Sequence, residues 1–219
     1  MKFKKNILIA VTAVLVVGGA VGVNSISKNN DSGVAESSVD ISKLPVYPIR
    51  GSFVYDVNNK NEAVGISDYV FVGKVVSNNG TIYKDVVTME DENGKPKEVG
   101  TPYTSYTIEV VDNIKGKLKK DSPIDVLKHG GVTQDNKAVF VFENDELPEA
   151  NKFYIFLGYA QKDGSILISG PNSNILLNTS ANQLKQNINS LKEYQEYRKA
   201  FQDEIIKVKR ERFTSKFEE

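Results

Sequence analysis

A chain of 219 residues has room for one domain of ordinary size plus appendages, and its 40% hydrophobic and 26% charged content is globular rather than disordered. Lys plus Arg and Asp plus Glu balance at 28 each, so no net field draws the molecule to nucleic acid, and no nucleic-acid partner is expected. The lack of cysteine excludes a disulfide framework, a thiol nucleophile, cysteine-based zinc sites and a lipid-anchored lipoprotein together.

At the N-terminus, Lys2, Lys4 and Lys5 precede an uncharged apolar run, residues 7–23, and polar residues begin at Asn24. A basic n-region before an apolar h-region keeps its basic end in the cytoplasm and sends the downstream chain across the membrane. A buried core helix would show a polar face, and this run shows none. Its seventeen residues lie at the lower edge of the roughly 17–25 that span a bilayer, and just above the roughly 7–15 of a signal h-region. Residues 1–23 therefore read as a signal peptide or as a retained membrane anchor. The rest is expected to be extracytoplasmic, either single-pass in the cell membrane with the N-terminus inside, or secreted. Residues 24–50 read as a polar linker, with Pro45 and Pro48 around Tyr47 marking an extended lead-in.

Strand signals fill residues 51–178, after one or two turns of helix at 61–66. Residues 69–77 are rich in β-branched and aromatic side chains, with Gly73 marking a bulge or sharp bend. Residues 103–114 alternate, Tyr106, Ile108 and Val110 one way and Thr107, Glu109 and Val111 the other. Shorter strands are predicted at 124–127, 138–142, 153–159, 165–169 and 174–177, with Asp163-Gly164 as a tight turn. Residues 83–101 form a polar excursion carrying Asn93-Gly94 and Pro96, read as a protruding loop or hairpin. Five or six strands joined by turns predict a mainly β fold, a small antiparallel barrel or sandwich.

The C-terminal part, residues 179–219, differs in kind. Apolar residues recur at Leu184, Ile188, Leu191, Tyr194, Phe201, Ile205 and Val208, and Ser180 with Gln183 makes a capping box. The pattern predicts one long amphipathic helix, whose stripe requires either the barrel or a second copy of the chain, through which the protein would self-associate. Lys207, Lys209, Arg210 and Arg212 near its end read as complements to the helix dipole, or as a contact for anionic lipid or polymer.

Several strings resemble netrin-like modules, whose best-known members are the tissue inhibitors of metalloproteinases. Ser67-Asp68-Tyr69-Val70-Phe71-Val72-Gly73-Lys74-Val75 is similar to the opening strand of that family. Tyr106-Thr107-Ile108-Glu109-Val110 with Ile114-Lys115-Gly116 resembles its second strand. Gly130-Gly131, then Lys152-Phe153-Tyr154-Ile155-Phe156-Leu157, then Asp163-Gly164-Ser165 occur in the same order, over roughly residues 60–178. The resemblance implies a five- to six-stranded OB-type barrel, as in small exported proteins of Gram-positive bacteria. The metalloproteinase inhibitors grip zinc through an N-terminal cysteine, which is missing here, so that route of inhibition does not carry over.

Chemistry-bearing motifs are sparse. His129, the single histidine, reads as a surface-loop residue, with no second histidine or carboxylate at ligand spacing. The acidic clusters at 90–92 and 143–149 do not fit a calcium-loop register and read as solvated loops. Asn178-Thr179-Ser180 overlaps the helix cap and is a coincidental sequon. No serine-hydrolase or phosphate-cradling motif occurs, so no catalytic residue, metal or cofactor is expected. Tyr103 and Tyr106 are the candidate ligand-binding residues, on the barrel face that OB-type domains use, or else they pack the core. The expectation is an exported, non-enzymatic binding module for an envelope protein or surface polymer. A secreted inhibitor of an extracellular enzyme such as a protease is the alternative.

Overall fold

The computed structural model describes residues 41–91, 93–120 and 122–219; the apolar run and most of the polar linker lie outside them. Ser32–Glu219 forms one compact unit that contains every described element and all three hydrophobic clusters, so the packing that holds the domain lies within it. No described helix is long and apolar enough to cross a membrane.

Among the described residues, nine strands and three α-helices occur in chain order. They are β1 (Val46–Ile49), α1 (Lys60–Ile66), β2 (Tyr69–Glu90), β3 (Pro96–Lys115), β4 (Pro123–His129) and β5 (Gly131–Val132), then β6 (Val139–Phe142), β7 (Phe153–Ala160), β8 (Ile166–Ile168), β9 (Asn174–Leu177), α2 (Ala181–Asn187) and α3 (Lys192–Gln202). The fold is mainly β, as expected. A six-stranded sheet runs β2-β3-β4-β8-β7-β9, and β2 also pairs with β7, so the hydrogen bonding closes into a ring. β4 pairs with β8 in parallel and the other pairs of this sheet are antiparallel, which corrects the expectation of a wholly antiparallel arrangement. A smaller sheet, β1-β6-β5, includes a second parallel pair, β1 with β6.

Period-two patterning decides which side chains fill the ring. Tyr106, Ile108 and Val110 of β3, Ile124 and Val126 of β4, Tyr154 and Phe156 of β7, and Ile166 and Ile168 of β8 form one buried cluster with Phe71 and Val75 of β2. Burying a side chain of this size contributes about 1.5–3 kcal/mol relative to leaving it exposed. A register shift falls between Val72 and Gly73, where the sequence suggested a bulge. A Cβ on Gly73 would lie 2.5 Å from Ile108 Cγ2, so the ring interior is too tight there for any side chain. The opposite parity, Val70, Val72, Phe153, Ile155 and Leu157, packs outward against α1, α2 and α3 through Ala63, Val64, Leu184, Tyr194, Tyr197 and Ala200.

The single long C-terminal helix is not formed. The Ser180 capping box starts α2 as predicted, but the chain leaves the α-helix at Asn187, makes a 3-10 turn over Ile188–Ser190, and restarts at Lys192. After Gln202 it runs as an irregular tail back along the ring. Tertiary bonds outcompete helix continuation here. Arg210 donates to Ile66 O and, at 2.5 Å, to Asp68, while Arg212 donates to Gly65 O, Ser67 O and Asp68. The two guanidinium groups thus satisfy the orphan carbonyls at the C-terminus of α1, where the helix dipole favours a cation. Arg210 and Arg212 of the basic cluster complement a helix dipole, though of a different helix from the one anticipated, while Lys207 pairs with Glu62 in the first turn of α1. Phe213 and Phe217 then pack against the interior cluster at the Tyr69 end of the ring. Of the two partners left open for the apolar stripe, its buried part on α2 and α3 takes the chain's own sheet.

Candidate functional site

Among the described residues, β4, β8 and the 103–107 part of β3 contribute nothing to the cluster that packs on the helices, and their outward face is clear of it. Alternation along these strands and their register line up side chains in rows. Ser105 of β3 stands opposite Leu127 of β4, which stands opposite Leu167 of β8; Thr107 stands opposite Asp125, and Thr107 Oγ1 donates to Asp125 Oδ1 at 2.9 Å. At the end of this face Tyr103 stacks on His129 with ring centroids 4.8 Å apart. His129 in turn meets Phe142 edge-on at 4.6 Å, Phe142 meets Phe53 at 5.3 Å, and Lys84 Nζ lies 5.5 Å from the Tyr103 ring centre. The result is a half-buried aromatic row leading to the base of the β2–β3 hairpin.

His129 is therefore a sheet residue in an aromatic sandwich, not the surface-loop residue the sequence suggested; β4 simply extends two residues beyond the predicted strand. Burial, aided by neighbouring Lys128, pushes its imidazole below the ordinary 6.5. Its Nδ1 lies 3.3 Å from Ser169 Oγ, and among the described residues no carboxylate hydrogen-bonds to the ring, so the orienting acid of a nucleophile–base–acid triad is missing. The two tyrosine candidates separate. Three positions apart on one strand, they face opposite sides, Tyr103 outward and Tyr106 into the ring, where it is 0% exposed. Tyr106 is thereby corrected from a ligand candidate to a core residue, and its hydroxyl has no hydrogen-bond partner among the described residues.

The hairpin is the second part of the site. Residues 84–90 of β2 and 96–101 of β3 pair only with each other among the described residues, so the excursion at 83–101 is a hairpin arm rather than a loop. Asp91 closes its tip by accepting from the backbone N–H groups of Asn93 and Lys95, each at 2.8 Å. That carboxylate is a turn cap, and no cluster able to hold a metal occurs among the described residues. Tyr83 anchors the base of the arm by donating to Val132 O, and Gln134 Oε1 accepts from Gly100 N. Beyond these anchors Val86, Val87 and Met89 are 51%, 55% and 55% exposed.

Lys128 was not singled out by any motif. It comes after Ile124 and Val126 in the inward register of β4, and its side chain is 0% exposed. Its ammonium donates to Asp145 Oδ2 at 2.6 Å, to Ser173 Oγ at 2.8 Å and to Gly170 O at 3.4 Å. Burial pulls the lysine's affinity for its proton down and pushes the aspartate's up, against their mutual attraction. The signal was present: the parity that put Ile124 and Val126 inside also puts Lys128 there. No protein family's sequence profile matches this chain, and no curated protein matches it.

Proposed function

We propose that this protein is an exported, non-enzymatic binding module whose ring is an OB-type barrel and whose β2–β3 arm is the recognition element. The strand order supports the barrel reading. The first ring strand (β2) pairs with the second (β3) and the fourth (β7), and the third (β4) pairs in parallel with the fifth (β8), an order suited to a five-stranded Greek-key barrel. On that reading the arm is the loop between the first two barrel strands, and the Tyr103–His129 face belongs to strands two and three, the regions through which OB-type domains take ligands. Export rests on the basic and apolar pattern of residues 2–23.

The observation that carries the reading is the exposed apolar surface of Val86, Val87 and Met89 on an arm that no other strand covers among the described residues. In sequence the arm carries Lys84, Lys95 and Lys97 against Asp85, Glu90, Asp91, Glu92 and Glu98, so it offers no attractive field for a polyanion, which favours an envelope protein over an anionic surface polymer. Capture from envelope fractions with Ser32–Glu219, compared with Val87→Asp/Met89→Asp, tests this. A defined protein retained by the parent domain and lost with the variant is expected. Equal capture by both removes the arm from recognition. If the captured protein is an extracellular enzyme that loses activity on binding, the module acts as its inhibitor.

A further inference from the structure

Between the outward face of β2, β3 and β7 and the C-terminal helices lies a groove of about 490 Å³, at the Glu109–Asp112 end of the β3 face that carries Tyr103 further along. Its floor is Val111 and Phe153, and its roof is Leu184 and Ile188. The size falls within the roughly 300–1,000 Å³ of small-ligand sites. The roof is held lightly: α2 fully buries only Leu184, and the adjoining 3-10 turn adds only the half-buried Ile188. Elements with so few buried contacts open at low cost.

The charges at the rim are informative. Lys74 of β2 stands directly opposite Glu109 of β3, yet the two form no ion pair, and Lys185 projects from α2 without a partner among the described residues. Asp112 is already engaged, by Lys120 and by the Tyr194 hydroxyl at 2.6 Å. Two unengaged cations and one unengaged carboxylate therefore border an apolar slot. The geometry points to a binding site for an amphiphile with an alkyl body and a singly charged anionic head, a carboxylate or a phosphodiester. The alkyl body lies between Phe153 and Leu184, and the head sits between Lys74 and Lys185. Glu109 repels a second negative charge, so a dianionic head is disfavoured. This site is separate from the proposed recognition arm, and either reading stands without the other.

Calorimetric titration of dodecanoate, below its micellar concentration, into Ser32–Glu219 tests the site, with dodecylammonium as the charge-reversed probe and phosphatidylglycerol vesicles as the bilayer source. Dodecanoate is expected to bind one to one. Lys74→Gln/Lys185→Gln is expected to weaken it about tenfold, as loss of charge-assisted bonds implies. Ile188→Trp fills the slot without altering a charge and abolishes binding, while Glu109→Gln improves binding of dianionic dodecyl phosphate. Vesicle binding that the double lysine variant weakens identifies a membrane lipid as the source, and binding confined to the soluble probe identifies a free amphiphile. Equal affinity for dodecanoate and dodecylammonium, indifference to both the lysine variant and Ile188→Trp, or no binding from either source overturns the proposal.

Discussion

At the scale of single residues, the buried Lys128–Asp145 pair decides more than any surface charge. Two ions removed from water hold each other in place only while both are present, and removing one leaves the other unpaired at a cost of about 3–5 kcal/mol. Asp145→Asn is accordingly expected to lower the chemical-denaturation stability by that amount. Lys128→Met/Asp145→Leu, which replaces both charges with apolar groups, is expected to recover most of it. His129 supplies a second check, because a single histidine gives one unambiguous NMR titration. Its folded-state pKa lies below 6.5, so just under 6.5 the unfolded chain binds the proton more readily. Its contribution to stability is fully present above 6.5 and is lost as pH falls through the folded value. The imidazole Cε1–H midpoint is expected below 6.5, with a melting temperature that falls on acidification through that window. A midpoint at or above 6.5 contradicts the aromatic sandwich.

At the scale of elements, strands were legible and the tail was not. Period two sees only local alternation: it grouped Tyr106, Ile108 and Val110 on one face, which the structure turns into the ring, and a strand read at 174–177 is β9 at Asn174–Leu177. The same rule, carried two residues past Val126, reaches Lys128, and counted from Tyr106 back to Tyr103 it separates the two tyrosines. Helical periodicity failed beyond Gln202 because a stripe at spacings of three and four cannot register competing long-range partners. Asp68, which accepts from Arg210 and Arg212, and the Tyr69 hydroxyl, which accepts from Ser215 N, supply those partners from more than a hundred residues away in the chain. Gly65 shows how closely the tail seats: a Cβ there would lie 2.1 Å from Ile205 O. Alanine in place of a helical glycine ordinarily gains about 1 kcal/mol. Here the backbone of the tail blocks it, and Gly65→Ala is expected to destabilise the domain by roughly 1–3 kcal/mol. A stabilised variant means that the tail does not pack against α1.

At the scale of the whole molecule, the ring interior is filled by side chains. Lys128 and Asp145 fill the end beside the arm, and Phe213 and Phe217 cover the end at Tyr69 and Leu118. On the proposed reading, recognition therefore uses the outer surface, the arm and the groove under the helices. The candidate site was half legible. The excursion at 83–101 and Tyr103 stood out by composition, whereas the rows across β3, β4 and β8 depend on a parallel pairing that local pattern does not encode. That pairing and the β2–β7 contact are what turn a meander into a ring, and everything proposed for the outer surface depends on them. Backbone NOEs in Ser32–Glu219 test them most directly. Cross-strand contacts are expected between Val72 and Ile155 and between Leu127 and Leu167, the latter with a parallel pattern. Their absence, with β3 and β4 still paired, would mean an open sheet and would contradict the ring.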